Sequence, residues 1–278
     1  KKEPIMRCLA PALTLAVAAT LLCMPLAAQA APPQSLFLED YTTFELKAYL
    51  AHGRPVALIF NAGVEESGPH LALGKHIFRA RAYAERIAAG LGDTLVAPII
   101  PFAINGPDMN AFPGTISLEP KTFTDMNEQV ARSMIRSGFK VVALLGDHGG
   151  GQAELADLAK RLDKEFAASG VRIVFVSDSY AKARKLIEAR MTAAGKHRPG
   201  GHGGLWDTAE TLAIKPDAVR PDLFPKGPYD NPDPNALTID GVAGSAEGAT
   251  AALGREFGTL RVELAIAELR RDLASPGQ

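Results

Sequence analysis

The chain has 278 residues, 47% hydrophobic and 22% charged, with a formal net charge of −1 at pH 7. That apolar fraction excludes a disordered chain. The balance of 30 basic against 31 acidic residues leaves no polybasic surface to neutralise phosphates, so nucleic acid is not an expected partner.

The first thirty residues read as a secretory signal peptide. Lys1, Lys2 and Arg7 precede an apolar run over 9–22, and Pro25-Leu26-Ala27-Ala28-Gln29-Ala30 ends in an Ala-x-Ala pattern, placing cleavage after Ala30. The run is short for a bilayer span and ends at a processing site, so the expectation is a periplasmic or secreted protein with no membrane attachment after cleavage. Residues 31–278 then form one domain, with 27 basic and 30 acidic groups. Both cysteines, Cys8 and Cys23, fall inside the leader. The remaining chain has no disulfide and no thiolate, and must build any metal site from His, Asp and Glu.

Apolar runs alternate with amphipathic stretches. Val56 to Phe60, Leu95 to Ile100, Val141 to Leu145 and Ile173 to Val176 read as buried strands. Ile77, Ala80, Ala84, Ile87 and Leu91 mark one helix face; Phe123, Met126, Val130 and Met134 mark a second, with Pro120 in its first turn. Leu155, Leu158, Leu162 and Phe166 mark a third. Six prolines from Pro216 to Pro234 predict an ordered surface loop, and Leu253, Phe257, Leu260 and Leu264 a last helix, packed on the core or on another subunit. The pattern predicts a three-layer α/β/α domain with a mostly parallel sheet, whose ligand site lies at the carboxyl ends of the strands.

Four of six histidines flank glycine-rich turns at such ends, while His52 and His197 sit in ordinary polar contexts. The segments are Gly63-Val64-Glu65-Glu66-Ser67-Gly68-Pro69-His70-Leu71-Ala72-Leu73-Gly74-Lys75-His76, Gly146-Asp147-His148-Gly149-Gly150-Gly151, and Gly201-His202-Gly203-Gly204-Leu205-Trp206-Asp207-Thr208. Carboxylates and imidazoles without thiols suit zinc, manganese or iron. Such an ion lowers the pKa of a bound water from about 15.7 towards about 7. No Gly-x-Ser-x-Gly elbow and no Gly-x-Gly-x-x-Gly order occur, which argues against a serine hydrolase and a dinucleotide-binding enzyme.

These segments resemble the creatininase family of metal-dependent amidohydrolases. The first is similar to its Glu-Gln-His-Gly-Pro-His-Leu-Pro-Leu-Gly-Thr-Asp motif, Phe112 to Ser117 to its Phe-Pro-Gly-Thr-Ile-Ser stretch, and Gly146 to Gly151 to Asn-Gly-His-Gly-Gly-Asn. His202 to Val219 follows without a gap on a fourth motif. The resemblance implies a creatininase-like hydrolase domain over 31–278 that cleaves an amide or cyclic amide C–N bond of a small molecule, and a homo-oligomer. Glu65 and His148 stand at family ligand positions, and Asp207 replaces a glutamate. Ser67 replaces a histidine that binds a second metal, and His76 replaces an aspartate that bridges two ions.

A neutral imidazole offers one lone pair and cannot bridge. One ion, zinc first, is therefore expected over two, held by Glu65, His76, His148 and Asp207. The resemblance gives His202 proton transfer, with Glu65 also catalytic. His70, Trp206 and Ser67 are candidate substrate contacts, and Asp147 either orients a ligand or caps a helix. Nothing specifies creatinine itself as substrate. The altered ligand set leaves an alternative, a catalytically weakened member that binds a small molecule or metal without turnover.

Overall fold

The computed structural model describes residues 35–193, 201–224 and 240–274. The leader, its cleavage site, both cysteines, His197 and the 225–234 part of the proline-rich segment lie outside them. Among the described residues no helix is long and apolar enough to cross a membrane.

In chain order the elements are α1 (Thr43–Leu50), β1 (Val56–Asn61), α2 (Lys75–Leu91), β2 (Thr94–Val96), α3 (Pro107–Asn110), α4 (Pro120–Ser137) and β3 (Val141–Gly146). There follow α5 (Gln152–Phe166), β4 (Arg172–Phe175), α6 (Ala183–Ala193), α7 (Leu205–Ile214) and α8 (Ala251–Ala274). The four strands pair in parallel in the order β2-β1-β3-β4, with helices on both faces, as the alternating pattern predicts.

Side chains alternate across the strands, so each apolar run feeds two cores. Val56, Leu58 and Phe60 pack with Ala80, Tyr83 and Ile87 of α2 and Val262, Ala265 and Leu269 of α8. Ala57 and Ile59 pack on the opposite face with Phe123 and Ala131 of α4 and Leu155, Leu158 and Leu162 of α5. A fully buried aliphatic side chain is worth roughly 1.5–3 kcal/mol, so continuous strands of this kind anchor the sheet.

The structure adds to or departs from the sequence pattern at three points. The second strand ends at Val96, because Pro98 has no N–H to continue the ladder; Ile100 makes only an isolated bridge to Asn61. α1 carries no buried stripe and starts on a Thr42–Glu45 capping box. α7 was not apparent as a helix because its buried face includes Asp207, Thr208, Glu210 and Thr211. The last helix packs on its own core. A Cβ at Gly254 would lie 1.8 Å from the Ala209 carbonyl oxygen, so only glycine lets α8 approach α7 this closely.

The strand order creates the site. From β1 the chain crosses through α2 to β2 on one side, while β3 flanks β1 on the other. The loops leaving β1 and β3 therefore part at a topological switch point, where open α/β sheets bind ligands. Glu65 lies on the first loop and Asp147-His148 on the second. The two strand ends are tied by Asn61 pairing with Gly146 and by the Asp147 N–H donating to the Asn61 carbonyl at 2.8 Å.

Candidate active site

Glu65 is buried and its two oxygens face different partners. Oε1 lies 2.7 Å from His76 Nε2, and Oε2 lies 2.5 Å from His148 Nε2. The backbone holds it there through the Glu65 N–H to the Leu73 carbonyl, 3.1 Å, and through the Ile116 N–H to the Val64 carbonyl, 2.9 Å. The Phe112–Ser117 stretch is thus a brace behind this carboxylate. His76 comes from the first turn of α2, and ligand atoms of Glu65, His76 and His148 all fall within 4.8 Å of one another.

Around this trio lies a buried ion network that sequence reading did not reveal. Lys75 Nζ is 2.6 Å from Glu65 Oε1 and 3.6 Å from Asp207 Oδ2. Arg79, one turn on, pairs with Asp147 Oδ2 at 2.9 Å and Asp207 Oδ1 at 2.6 Å. Arg261 of α8 pairs with Glu210 Oε2 at 2.8 Å, and its Nη2 lies 2.6 Å from Asp147 Oδ1 at an angle too poor for a hydrogen bond. Three buried cations, Lys75, Arg79 and Arg261, thus face four buried carboxylates, Glu65, Asp147, Asp207 and Glu210. The one available signal was that Lys75 and Arg79 share the buried face of α2 with Tyr83.

Burial alone pushes a carboxyl group up in pKa, and here the cations win. Lys75 above all holds Glu65 well below the ordinary range against its burial. Arg79 and Arg261 do the same for Asp147, and Lys75 and Arg79 for Asp207. Burial, joined by Lys75 and Arg79, pushes His76 down against the pull of Glu65 and Asp147, which keeps the imidazole neutral.

A cavity of about 300 Å³ opens over the trio, with His202, Trp206 and Asp207 also in its wall. His202 Nε2 is 3.0 Å from Glu66 Oε1, and Nδ1 is 3.5 Å from Glu65 Oε1, so one carboxylate orients the ring and the other nitrogen faces the centre. Gly203 (φ +63°) makes the turn that brings it there, with a would-be Cβ 2.7 Å from the Ser67 carbonyl. Trp206 packs 5.8 Å from Tyr180, and its indole N–H has no partner among the described residues.

The other candidates are placed differently. Asp207 lines the cavity but stands outside the trio, its oxygens taken by Arg79, Lys75 and the Gly203 N–H at 2.9 Å. Ser67 is sealed off, its Oγ 2.5 Å from Lys75 Nζ. His70 is also sealed, with Nε2 2.8 Å from Thr208 Oγ1 and its ring against Phe224; burial lowers its pKa to about 4. Neither Ser67 nor His70 borders the cavity. Asp147 sits 2.7 Å from His76 Nδ1 and so orients that ring. His52 is exposed.

The donor set fits a divalent ion. His76 Nε2 and Glu65 Oε1 lie 2.7 Å apart and both already draw a cation, the Lys75 ammonium at 2.9 and 2.6 Å, while Asp147 Oδ2 and Arg79 Nη2 flank the other ring nitrogen at 2.7 and 2.8 Å. Two imidazoles and a carboxylate are zinc-type ligands.

A family model described as "Creatininase: Creatinine amidohydrolase" matches residues 39–269. The chain belongs to the creatininase family. It is 27% identical over 251 residues to a creatinine amidohydrolase of Pseudomonas putida, covering 84% of this chain and 94% of that protein. Among solved structures, one titled "Creatininase Mn" superposes with a TM-score of 0.72 at 21% identity, covering 87% of this chain and all of that one. A putative creatinine amidohydrolase from Bacteroides fragilis superposes with a TM-score of 0.62 at 18% identity, over 81% and 91% of the two chains. Another creatininase neighbour is described as a Zn-Zn type, and another as complexed with creatine. Creatininase homologues are metal-dependent amidohydrolases, and this member carries a candidate metal site in Glu65, His76 and His148.

Proposed function

We propose that this creatininase-family member is an exported hydrolase that opens an amide or cyclic amide C–N bond of a small molecule with one divalent ion, zinc first and manganese or iron next. The observation that carries the reading is the convergence of Glu65, His76 and His148 beneath a cavity walled by His202. Bound by these three residues, the ion supplies Lewis acidity and lowers the pKa of a water. Glu66 holds the His202 ring so that Nδ1 faces the centre, where it takes the proton that the attacking water gives up and passes it to the departing nitrogen. Trp206, in the cavity wall, covers a planar substrate. Asp207 and Asp147 act as positioning residues through Lys75, Arg79 and His76.

Export rests on the leader pattern over 1–30, and self-association on the family resemblance. The deciding experiment assays amides and cyclic amides, creatinine included, on protein secreted by the host, after chelation and after zinc or manganese is returned. Turnover should vanish and return, and His202→Gln should lower it by about 10²–10⁴. The mature chain should begin at Ala31. Turnover that survives chelation sinks the metal-dependent reading. The second reading, binding without turnover, is favoured by the crowding of Lys75 and Arg79 against His76, and metal uptake without hydrolysis across the panel would establish it.

A further inference from the structure

Lys75 is fully buried, and its ammonium sits in the middle of the acceptors rather than beside one of them. Its three protons have three partners: Glu65 Oε1 at 2.6 Å, Ser67 Oγ at 2.5 Å and His76 Nε2 at 2.9 Å. A fourth acceptor, Asp207 Oδ2, completes the surround at 3.6 Å. An ordinary buried ion pair needs one carboxylate. Here four acceptors, from the loop after β1, the first turn of α2 and α7, close on one nitrogen, which is how a protein arranges ligands around a cation.

We propose that the Lys75 ammonium is a resident cation that occupies the place of a second divalent ion and limits the centre to one. This rests on the one-ion reading above and accounts for it. Three of the four acceptors, Ser67, His76 and Asp207, stand where the resemblance finds altered ligands, and the fourth, Glu65, gives Lys75 one oxygen and His148 the other. A second ion would find its ligands already bonded and a positive charge in its place. His76 Nε2 is the atom contested by Lys75 and the single metal.

The test counts metal per chain, by elemental analysis after zinc loading and dialysis, with no reliance on turnover. Wild type should hold at most one ion. The double variant Ser67→His with His76→Asp, which restores oxygen and nitrogen ligands but keeps Lys75, should gain none. The triple variant with Lys75→Thr added should gain one ion per chain. Uptake of two ions by wild type, an equal gain in the double variant, or no gain in the triple overturns the proposal. Lys75→Met in the otherwise native chain gives a second reading: zinc should raise its melting temperature more than it raises that of wild type, and equal shifts overturn the proposal. Should wild type hold no metal while the triple variant takes one, the hydrolase reading fails and the Lys75 proposal stands.

Discussion

The two faces of the sheet are built differently. Under α4 and α5 the packing is aliphatic and aromatic, with one polar pair, Asn61 Nδ2 donating to Asn127 Oδ1 at 2.9 Å. Under α2 and α8 the same kind of apolar core covers the strands, but towards their carboxyl ends it gives way to Lys75, Arg79 and Arg261 locked against four acids. The first face holds the fold together. The second spends stability on placing a carboxylate and two imidazoles, because buried ion pairs rarely repay their desolvation.

The sharpest way to break that contrast is a pair of truncations followed by urea unfolding. Arg79→Met leaves Asp147 and Asp207 short of counter-charge and should cost about 3–5 kcal/mol, together with metal binding. Leu158→Ala, in the apolar face, should cost about 2–5 kcal/mol and leave metal affinity unchanged. If Arg79→Met proves nearly neutral, the charged side is not the interlocked unit described here.

A smaller effect concerns pH. His70 is held neutral, with its pKa lowered to about 4 by burial, against an ordinary value of 6.5. Between these values the unfolded chain binds more protons, so its contribution to stability is intact above about pH 6.5 and is lost as pH falls towards 4. The melting temperature of wild type should decline across that window, and His70→Gln should flatten the decline. An unchanged slope in the variant would remove His70 from the account.

Much of this was legible in the sequence, for a physical reason. Strands buried on both faces must be continuously apolar, and helices covering them must carry a stripe, so β1, β3, α2, α4 and α5 announce themselves. Glu65 and His148 were legible because glycine-rich turns at strand ends mark where a parallel sheet binds ligands. The ion network was not. Arg79 meets Asp207 across 128 residues of chain and Arg261 meets Glu210 across 51, and charged residues on a helix ordinarily read as its wet side. α7 was hidden for the same reason, since its buried polar residues break the apolar rhythm that pattern reading relies on.

Arg79, Asp147, Glu210 and Arg261 come from α2, the β3 loop, α7 and α8, and each pairs with two of the others. Such a ring resists piecemeal change. Replacing any single member strands a charge in a dry interior, whereas exchanging an acid and its base together does not. Descendants of this sequence should therefore alter these positions in matched sets or leave them alone, and the first intermediate on any other path would be a protein that struggles to fold.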